Sequence, residues 1–285
     1  MKNNIVLLLF ISVCVFVVLG ASNGHYAVLA CSKVKKASVS VKTDADTIPV
    51  CIAKYLRAYP DKITGATRNS IIWSDGTAMI FDDGRVKSFE GLLDSADLED
   101  QVCAMPYPLD SVFSNPKKNQ DPGRVRCEPF FLKMYGSDEQ TVKSNLVDIK
   151  WLPNHLNQTI KVSKVNGVAE KLAEISAELD RHPEFVPYLK NPGGTFNWRK
   201  ISGTNRLSTH SFGITIDINV SFSNYWQWDN KDWKEKGEAI DLNYANRIPL
   251  EIVKIFEKRG FIWGGKWYHY DTMHFEYRPE LLVPQ

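Results

Sequence analysis

The chain has 285 residues, of which 44% are hydrophobic, 12% aromatic and 24% charged. This composition is typical of a folded globular protein and excludes a disordered chain. The formal net charge of +2 gives no basic footprint, so no nucleic-acid partner is expected.

The N-terminal segment has the layout of an export signal. Lys2 precedes an apolar run over residues 5–19, and small residues follow up to Ala21. We predict a signal peptide over residues 1–30, cleaved after Ala21 or Ala30, and hence a periplasmic or extracellular protein. The alternative is an uncleaved membrane anchor, because the run is close to the roughly 17–25 residues that span a bilayer. Membrane contact is expected only in that case.

Cysteine usage indicates an oxidising compartment. Apart from Cys14 in the predicted signal, the cysteines are Cys31, Cys51, Cys103 and Cys127. An even number in an exported protein predicts two disulfides, with three possible connectivities. No CxxC spacing occurs, which disfavours a thiolate zinc cluster. Lipidation of the "VLAC" cysteine is a further reading, disfavoured by its distance from the apolar run.

The first half of the chain carries short elements separated by turn signals. Apolar runs with Ser-Asp-Gly and Asp-Asp-Gly between them predict a hairpin within residues 69–86. Residues 115–124 read as a loop. Ser137 and Gln140 form a capping-box pattern, which predicts a short helix to about Val147.

Two amphipathic helices are predicted in the second half. The first runs from Asn166 to about His182, with one apolar face made of Val168, Leu172, Ile175 and Leu179. The second begins at Pro249 and ends before Gly260, which are favoured start and stop residues.

Two further stretches predict strands that are apolar on one side and polar on the other. "ITIDIN" (214–219) places Asp217 on a polar face, and "MHFEY" (273–277) places His274 on another. His210 lies just before the first strand. These three side chains can therefore converge on one point.

Two imidazoles and one carboxylate are the donor set of a catalytic zinc site with an open fourth position. Asp271, three residues before His274, could then exchange protons with water and a leaving amine. His269 could hydrogen-bond an oxyanion or a ligand. The competing reading for each histidine is a packed or solvated residue. For Trp267 we weigh core or cleft-wall packing first and substrate stacking second.

The segments "STHSFGITIDIN" and "GFIWGGKWYHYDTMHFEYRPE" resemble the S-x-H-x2-G-x3-D and D-x2-H motifs of the zinc D-alanyl-D-alanine peptidases. That group includes VanX- and VanY-type enzymes, L-alanyl-D-glutamate endolysins and the related hedgehog-like fold. The resemblance covers about residues 190–280. It implies one zinc ion, Zn²⁺, bound by His210, Asp217 and His274, with Asp271 as general base and acid.

The resemblance also implies a substrate-binding arginine on a preceding strand. Arg199 in "GTFNWRKI" is the best match, although it lies closer to the first histidine than in several relatives. His269 holds a position that some members use near the transition state. Thr215 replaces a common alanine, a small change. The implied substrate-binding candidates are Arg199, Asn197, Arg206, Ser208 and Trp267.

The implied fold is α+β, with a small central antiparallel sheet flanked by helices in a zinc peptidase domain at residues 151–285. Residues 31–150 would be an N-terminal mixed α/β accessory region without an assigned role. The expected function is zinc-dependent hydrolysis of a peptide bond in peptidoglycan stem peptides, as a D,D-carboxypeptidase or an L-Ala-D-Glu-type endopeptidase. The alternative is a catalytically silent metal-containing module that binds wall peptide or a protein partner.

Overall fold

The computed structural model describes residues 48–109, 114–236 and 241–283. These residues belong to one unit, Asp44–Gln285. The predicted signal peptide and Cys31 lie outside the described residues. None of the helices in the described ranges combines the length and the apolar character that a membrane crossing requires.

The chain alternates short helices with short strands. The elements before residue 145 are α1 (Val50–Ala58), β1 (Ile63–Thr67), β2 (Ser70–Trp73), β3 (Ala78–Ile80), α2 (Phe89–Ser95), α3 (Glu128–Tyr135) and α4 (Glu139–Ser144). Those after it are β4 (Leu146–Trp151), β5 (Gln158–Ser163), α5 (Val168–Leu179), α6 (Val186–Leu189), β6 (Pro192–Gly194), β7 (Thr215–Asn219), α7 (Trp226–Asp229), α8 (Trp233–Lys236), α9 (Leu250–Glu257), β8 (Phe261–Trp263), β9 (His274–Tyr277) and α10 (Pro279–Leu282).

The strands form three antiparallel sheets. β1, β2 and β3 make one, β4 and β5 a second, and the third has the order β6-β7-β9-β8. In the third sheet Phe275 of β9 stacks on Phe256 of α9, with ring centroids 3.9 Å apart. The predicted α+β class, with a small antiparallel sheet flanked by helices and a mixed N-terminal region, is confirmed.

The local predictions of the second half agree closely with the structure. Helix α5 is two to three residues shorter at each end than predicted, and its four predicted face residues are all buried. Gly167, at φ 69°, precedes its first turn. Helix α9 follows Pro249 as expected and ends before Gly260.

In the first half the predicted hairpin is confirmed as β2 and β3, and residues 115–124 form a loop. The predicted capping box is wrong. Helix α4 is capped by Asp138, whose Oδ1 accepts a hydrogen bond from the Thr141 backbone N at 2.8 Å. Asp138 competes with Ser137 because aspartate is an equally good cap one position later. The helix also stops at Ser144, because the following residues pair as β4 with β5.

The hydrophobic core is continuous across the predicted boundary at residue 150, which falls within β4. Tyr59 of the N-terminal part donates a hydrogen bond from its hydroxyl to Oε2 of Glu280 at 2.6 Å. Phe130 and Phe131 of α3 are buried in the same cluster as the residues of β7 and β9. The N-terminal part therefore packs directly against the sheet that carries the predicted site.

The pairing of the cysteines differs from the prediction. Cys51 and Cys103 form a disulfide, which joins α1 to the turn that follows α2. Cys127 is a free, buried thiol, so the expected pairing of all four cysteines in two disulfides is wrong. It lies just before α3, inside the apolar core.

Candidate metal centre

Two predicted ligands face each other across the third sheet. Asp217 on β7 and His274 on β9 are directly paired in the strand register, so their side chains emerge side by side. His274 Nδ1 lies 3.0 Å from Asp217 Oδ1, and His210 Nε2 lies 3.2 Å from Asp217 Oδ2. One ligand atom from each of the three residues lies within 4.8 Å of the others.

His210 reaches this point from a single 3₁₀ turn, Thr209–Phe212, just before β7. Ser208 caps the turn, because its hydroxyl accepts the His210 backbone N at 3.4 Å. Gly213 ends it in the left-handed region, at φ 65°. A Cβ there would lie 2.6 Å from Leu146 Cδ2, so the turn requires glycine.

The electrostatics of the centre favour a positive charge between the carboxylates. Burial disfavours ionised Asp217, but His210 and His274 hold its pKa well below the ordinary value. Burial also disfavours charged His274, yet Asp217 and Glu276 raise its pKa.

The donor chemistry fits zinc. Two neutral imidazole nitrogens and one carboxylate oxygen are a common protein set for a catalytic zinc ion. His274 would use Nδ1, because its Nε2 is directed at Glu276 Oε2 at 3.0 Å. A second ring nitrogen held by a carboxylate is the usual support of a metal-binding histidine.

Glu276 is a supporting residue to which the sequence assigned no role. It is completely buried on β9, two residues after His274 on the same face of the strand. Its Oε2 also accepts the Thr209 hydroxyl at 2.8 Å, and its Oε1 accepts Arg278 Nη1 at 2.9 Å. The carboxylate therefore ties the turn of one ligand to the ring of another.

Replacement of Glu276 by Gln is expected to lower zinc affinity about 10–100-fold, because the His274 ring loses its charged partner. Competition with a zinc-binding indicator measures this affinity. Glu174→Gln, on the exposed surface of α5, is the matched control and should bind zinc as the wild type does. Equal zinc affinity of Glu276→Gln and wild type would remove Glu276 from the support of the centre.

Asp271 lies in a tight turn immediately before β9. Its backbone N donates to the Gly264 carbonyl at 3.0 Å, and its own carbonyl accepts the His274 backbone N at 3.2 Å. Among the described residues, its buried Oδ1 has no hydrogen-bond partner. Burial, followed by the negative charge of Asp217, raises the pKa of Asp271 to about 6. Such a carboxyl is suited to both accepting and releasing a proton near neutral pH.

His269 is held by a residue from the N-terminal part of the chain. Asp121, which is fully buried, accepts the His269 backbone N at 2.8 Å and faces the ring Nδ1 at 2.7 Å. The ring packs between Phe89 of α2, at 5.9 Å, and Trp226 of α7, at 4.6 Å. Asp121 thus fixes both the backbone and the ring orientation of His269.

The structure identifies Arg124 as a candidate arginine in addition to the predicted Arg199. Arg199 is exposed, and its guanidinium donates to the Lys200 carbonyl at 3.4 Å. Arg124 donates to the His269 carbonyl at 2.7 Å and lies over the Trp267 ring at 4.8 Å. Its positive charge lowers the pKa of Asp271, against the larger effect of burial. The positive charges of Arg124 and Arg199 also lower the pKa of Tyr225, against the larger effect of burial. Tyr225 pairs with Asp271 through an isolated β-bridge.

The other predicted substrate-binding residues differ in their exposure and in their contacts. Asn197 is exposed, and its backbone N donates to the His210 carbonyl at 3.2 Å. Trp267 is buried, with its ring centroid 5.5 Å from that of His274, which favours a packing role. Ser208 serves as the cap of the His210 turn. Arg206 is turned toward α2, where it donates to the Leu93 carbonyl at 3.0 Å.

Sequence reasoning missed four residues at the centre: Glu276, Asp121, Arg124 and Tyr225. For Glu276 a signal existed, because strand alternation places it on the face of His274. Asp121 and Arg124 lie about 150 residues from His269 along the chain. No local pattern links such distant positions.

Residues 202–277 match the family model described as D-alanyl-D-alanine carboxypeptidase. The matched range contains the three predicted ligands and Asp271, and it leaves the N-terminal part outside. No curated protein and no solved structure matches the chain. The match agrees with the resemblance read from the two motifs: residues 202–277 are similar to the D-alanyl-D-alanine carboxypeptidase family of peptidases.

Proposed function

We propose that this protein is an exported zinc metallopeptidase that hydrolyses a peptide bond in peptidoglycan stem peptides. The observation that carries the proposal is the convergence of His210, Asp217 and His274, with the buried carboxyl of Asp271 beside them. A binding module has no use for a proton-exchanging carboxyl at that position. The family match supports a peptidase that acts on wall peptides.

When bound, zinc supplies Lewis acidity, which polarises a carbonyl and acidifies water. The side chains of the chain then have distinct tasks. Asp271 takes a proton from the attacking water and returns it to the departing amine nitrogen. Glu276 keeps His274 in the orientation that ligation requires. The positive charge of Arg124 favours the ionised form of Asp271.

Asp121 orients the ring of His269. Its contact with Nδ1 leaves the His269 ring in one orientation, from which a ring nitrogen can hydrogen-bond a developing oxyanion. The aromatic packing around the ring excludes other orientations. This positioning comes from the loop before α3, outside the range matched by the family.

Export is part of the proposal. The apolar N-terminal segment followed by small residues supports it, and so does the disulfide between Cys51 and Cys103. Disulfides persist in oxidising compartments and are rare in the cytosol. Sequencing of the mature N-terminus tests this step, and a protein that retains Met1 would contradict cleavage.

The decisive experiment digests purified peptidoglycan fragments with the mature protein and identifies the products by mass spectrometry. We expect cleavage of a stem-peptide bond, loss of at least about 100-fold in rate with a zinc chelator, and recovery on addition of zinc. The mass of the released fragment distinguishes D-alanine from larger peptides. Binding of fragments without chelator-sensitive products would support the silent module instead.

A further inference from the structure

A cavity of about 170 Å³ lies beside the metal centre, outside the set of metal ligands. It is bordered by the end of α2, the start of α3 and residues 205–207. Its lining includes the guanidinium groups of Arg126 and Arg206. Arg126 connects it to the centre, since Nη1 lies 3.7 Å from Oε2 of Glu276.

Arg126 is the unusual member of this lining. Its side chain is only 12% exposed, and burial lowers its pKa to about 10. Oε2 of Glu276 already accepts Thr209 and faces His274, so it is engaged by shorter contacts than the one with Arg126. In the described part of the chain, the ion pair of the Arg126 guanidinium is this 3.7 Å contact with Glu276. A guanidinium offers five N–H donors, so Arg126 retains donors that a ligand in the cavity can use.

The acidic residues that line the cavity contact groups other than Arg126. Glu128 accepts the Leu207 backbone N at 2.7 Å. Asp94 is 68% exposed and lies 3.2 Å from Nε of Arg206. Arg206 is therefore partly neutralised by Asp94, whereas Arg126 lines the cavity with Glu276 as its ion-pair partner, at 3.7 Å.

We propose that this cavity binds a carboxylate group, held by Arg126 with help from the charge of Arg206. The planar guanidinium matches a carboxylate through two parallel hydrogen bonds. Resting on the proposed function, the carboxylate is one that the stem peptide carries away from the scissile bond. A free carboxylate would meet the same side chains, so the test separates the two sources.

The test compares two forms of one stem-peptide fragment, with that carboxylate either free or converted to the amide. Calorimetry measures their binding to full-length, zinc-loaded protein with Asp271→Asn, which avoids turnover. We expect the acid form to bind about 10–100-fold more tightly. Arg126→Gln in the same background should abolish the preference, and Arg126→Lys should restore part of it. Arg57→Gln, which removes an exposed arginine of α1, should keep it.

Equal affinity of the acid and amide forms would show that the bound carboxylate does not come from the stem peptide. Sodium acetate titrated into the same protein then decides: binding that depends on Arg126 supports a free carboxylate, and no such binding overturns the site. Equal weakening of both peptides by Arg126→Gln would also overturn it, since Arg126 would then merely support Glu276. If the protein prefers the acid form but the wild type does not hydrolyse the peptide, only the proposed peptidase activity is contradicted.

Discussion

Asp271→Asn is expected to lower kcat about 10²–10⁴-fold while zinc stays bound. Asparagine has nearly the same shape and keeps the backbone bonds to Gly264 and His274, but it cannot exchange the proton. The three ligands are unchanged, so the metal content should equal that of the wild type. Steady-state rates of stem-peptide cleavage and the zinc content of the purified protein measure the two quantities.

Asp61→Asn is the matched control, because Asp61 is an exposed acidic residue after α1, and its rate should equal that of the wild type. Loss of zinc together with activity in Asp271→Asn would instead make Asp271 a ligand. An unchanged kcat would remove Asp271 from the chemistry and leave the proposed mechanism without its acid/base.

The convergence of His210, Asp217 and His274 could be predicted because part of their spacing is local. His210 precedes Asp217 by seven residues across one turn and one strand, and Asp271 precedes His274 by three. Strand alternation indicated which side chains share a face, and the register of β7 against β9 brings Asp217 and His274 opposite each other. The sequence could not give this register, since it depends on pairing between strands about 60 residues apart.

The supporting residues were not predictable for the same reason. Asp121 and Arg124 belong to a loop that sequence analysis read only as polar. Its glycine explains the close approach: a Cβ on Gly123 would lie 2.4 Å from the Trp267 ring. Tyr268 donates its backbone N to the Gln120 carbonyl at 2.8 Å, which joins the loop to the segment before Asp271. These contacts connect residues about 150 positions apart in the chain.

The errors in the fold have equally local causes. Two adjacent capping residues, Ser137 and Asp138, both fit a helix start, and tertiary pairing of β4 decided where α4 ends. Counting cysteines assumed that every exported thiol is paired. Cys127 lies among large aromatic residues of α3, where burial raises the pKa of its thiol to about 11. A buried thiol of this kind behaves as a small apolar side chain.

Arg278→Met is expected to lower the free energy of unfolding by about 3–5 kcal/mol. Arg278 is fully buried, and it donates from Nη1 to Glu276 Oε1 at 2.9 Å and from Nε to Glu280 Oε1 at 2.5 Å. Methionine fills the space but removes from two buried carboxylates the cation that lies closest to each in hydrogen-bonded contact. The contact of Arg278 with the Gly123 carbonyl, at 3.2 Å, would also be lost.

Urea denaturation of the mature protein, followed by tryptophan fluorescence, measures this change. Lys161→Met removes the cation of an exposed pair with Asp148 and should change stability by no more than about 1 kcal/mol. Because Glu280 also accepts Tyr59, the loss should be transmitted to α1, and fluorescence and circular dichroism should report one shared transition. A variant as stable as Lys161→Met would show that the two carboxylates are compensated elsewhere. Two separate transitions in the wild type would show that the N-terminal part unfolds independently of the sheet that carries the metal centre.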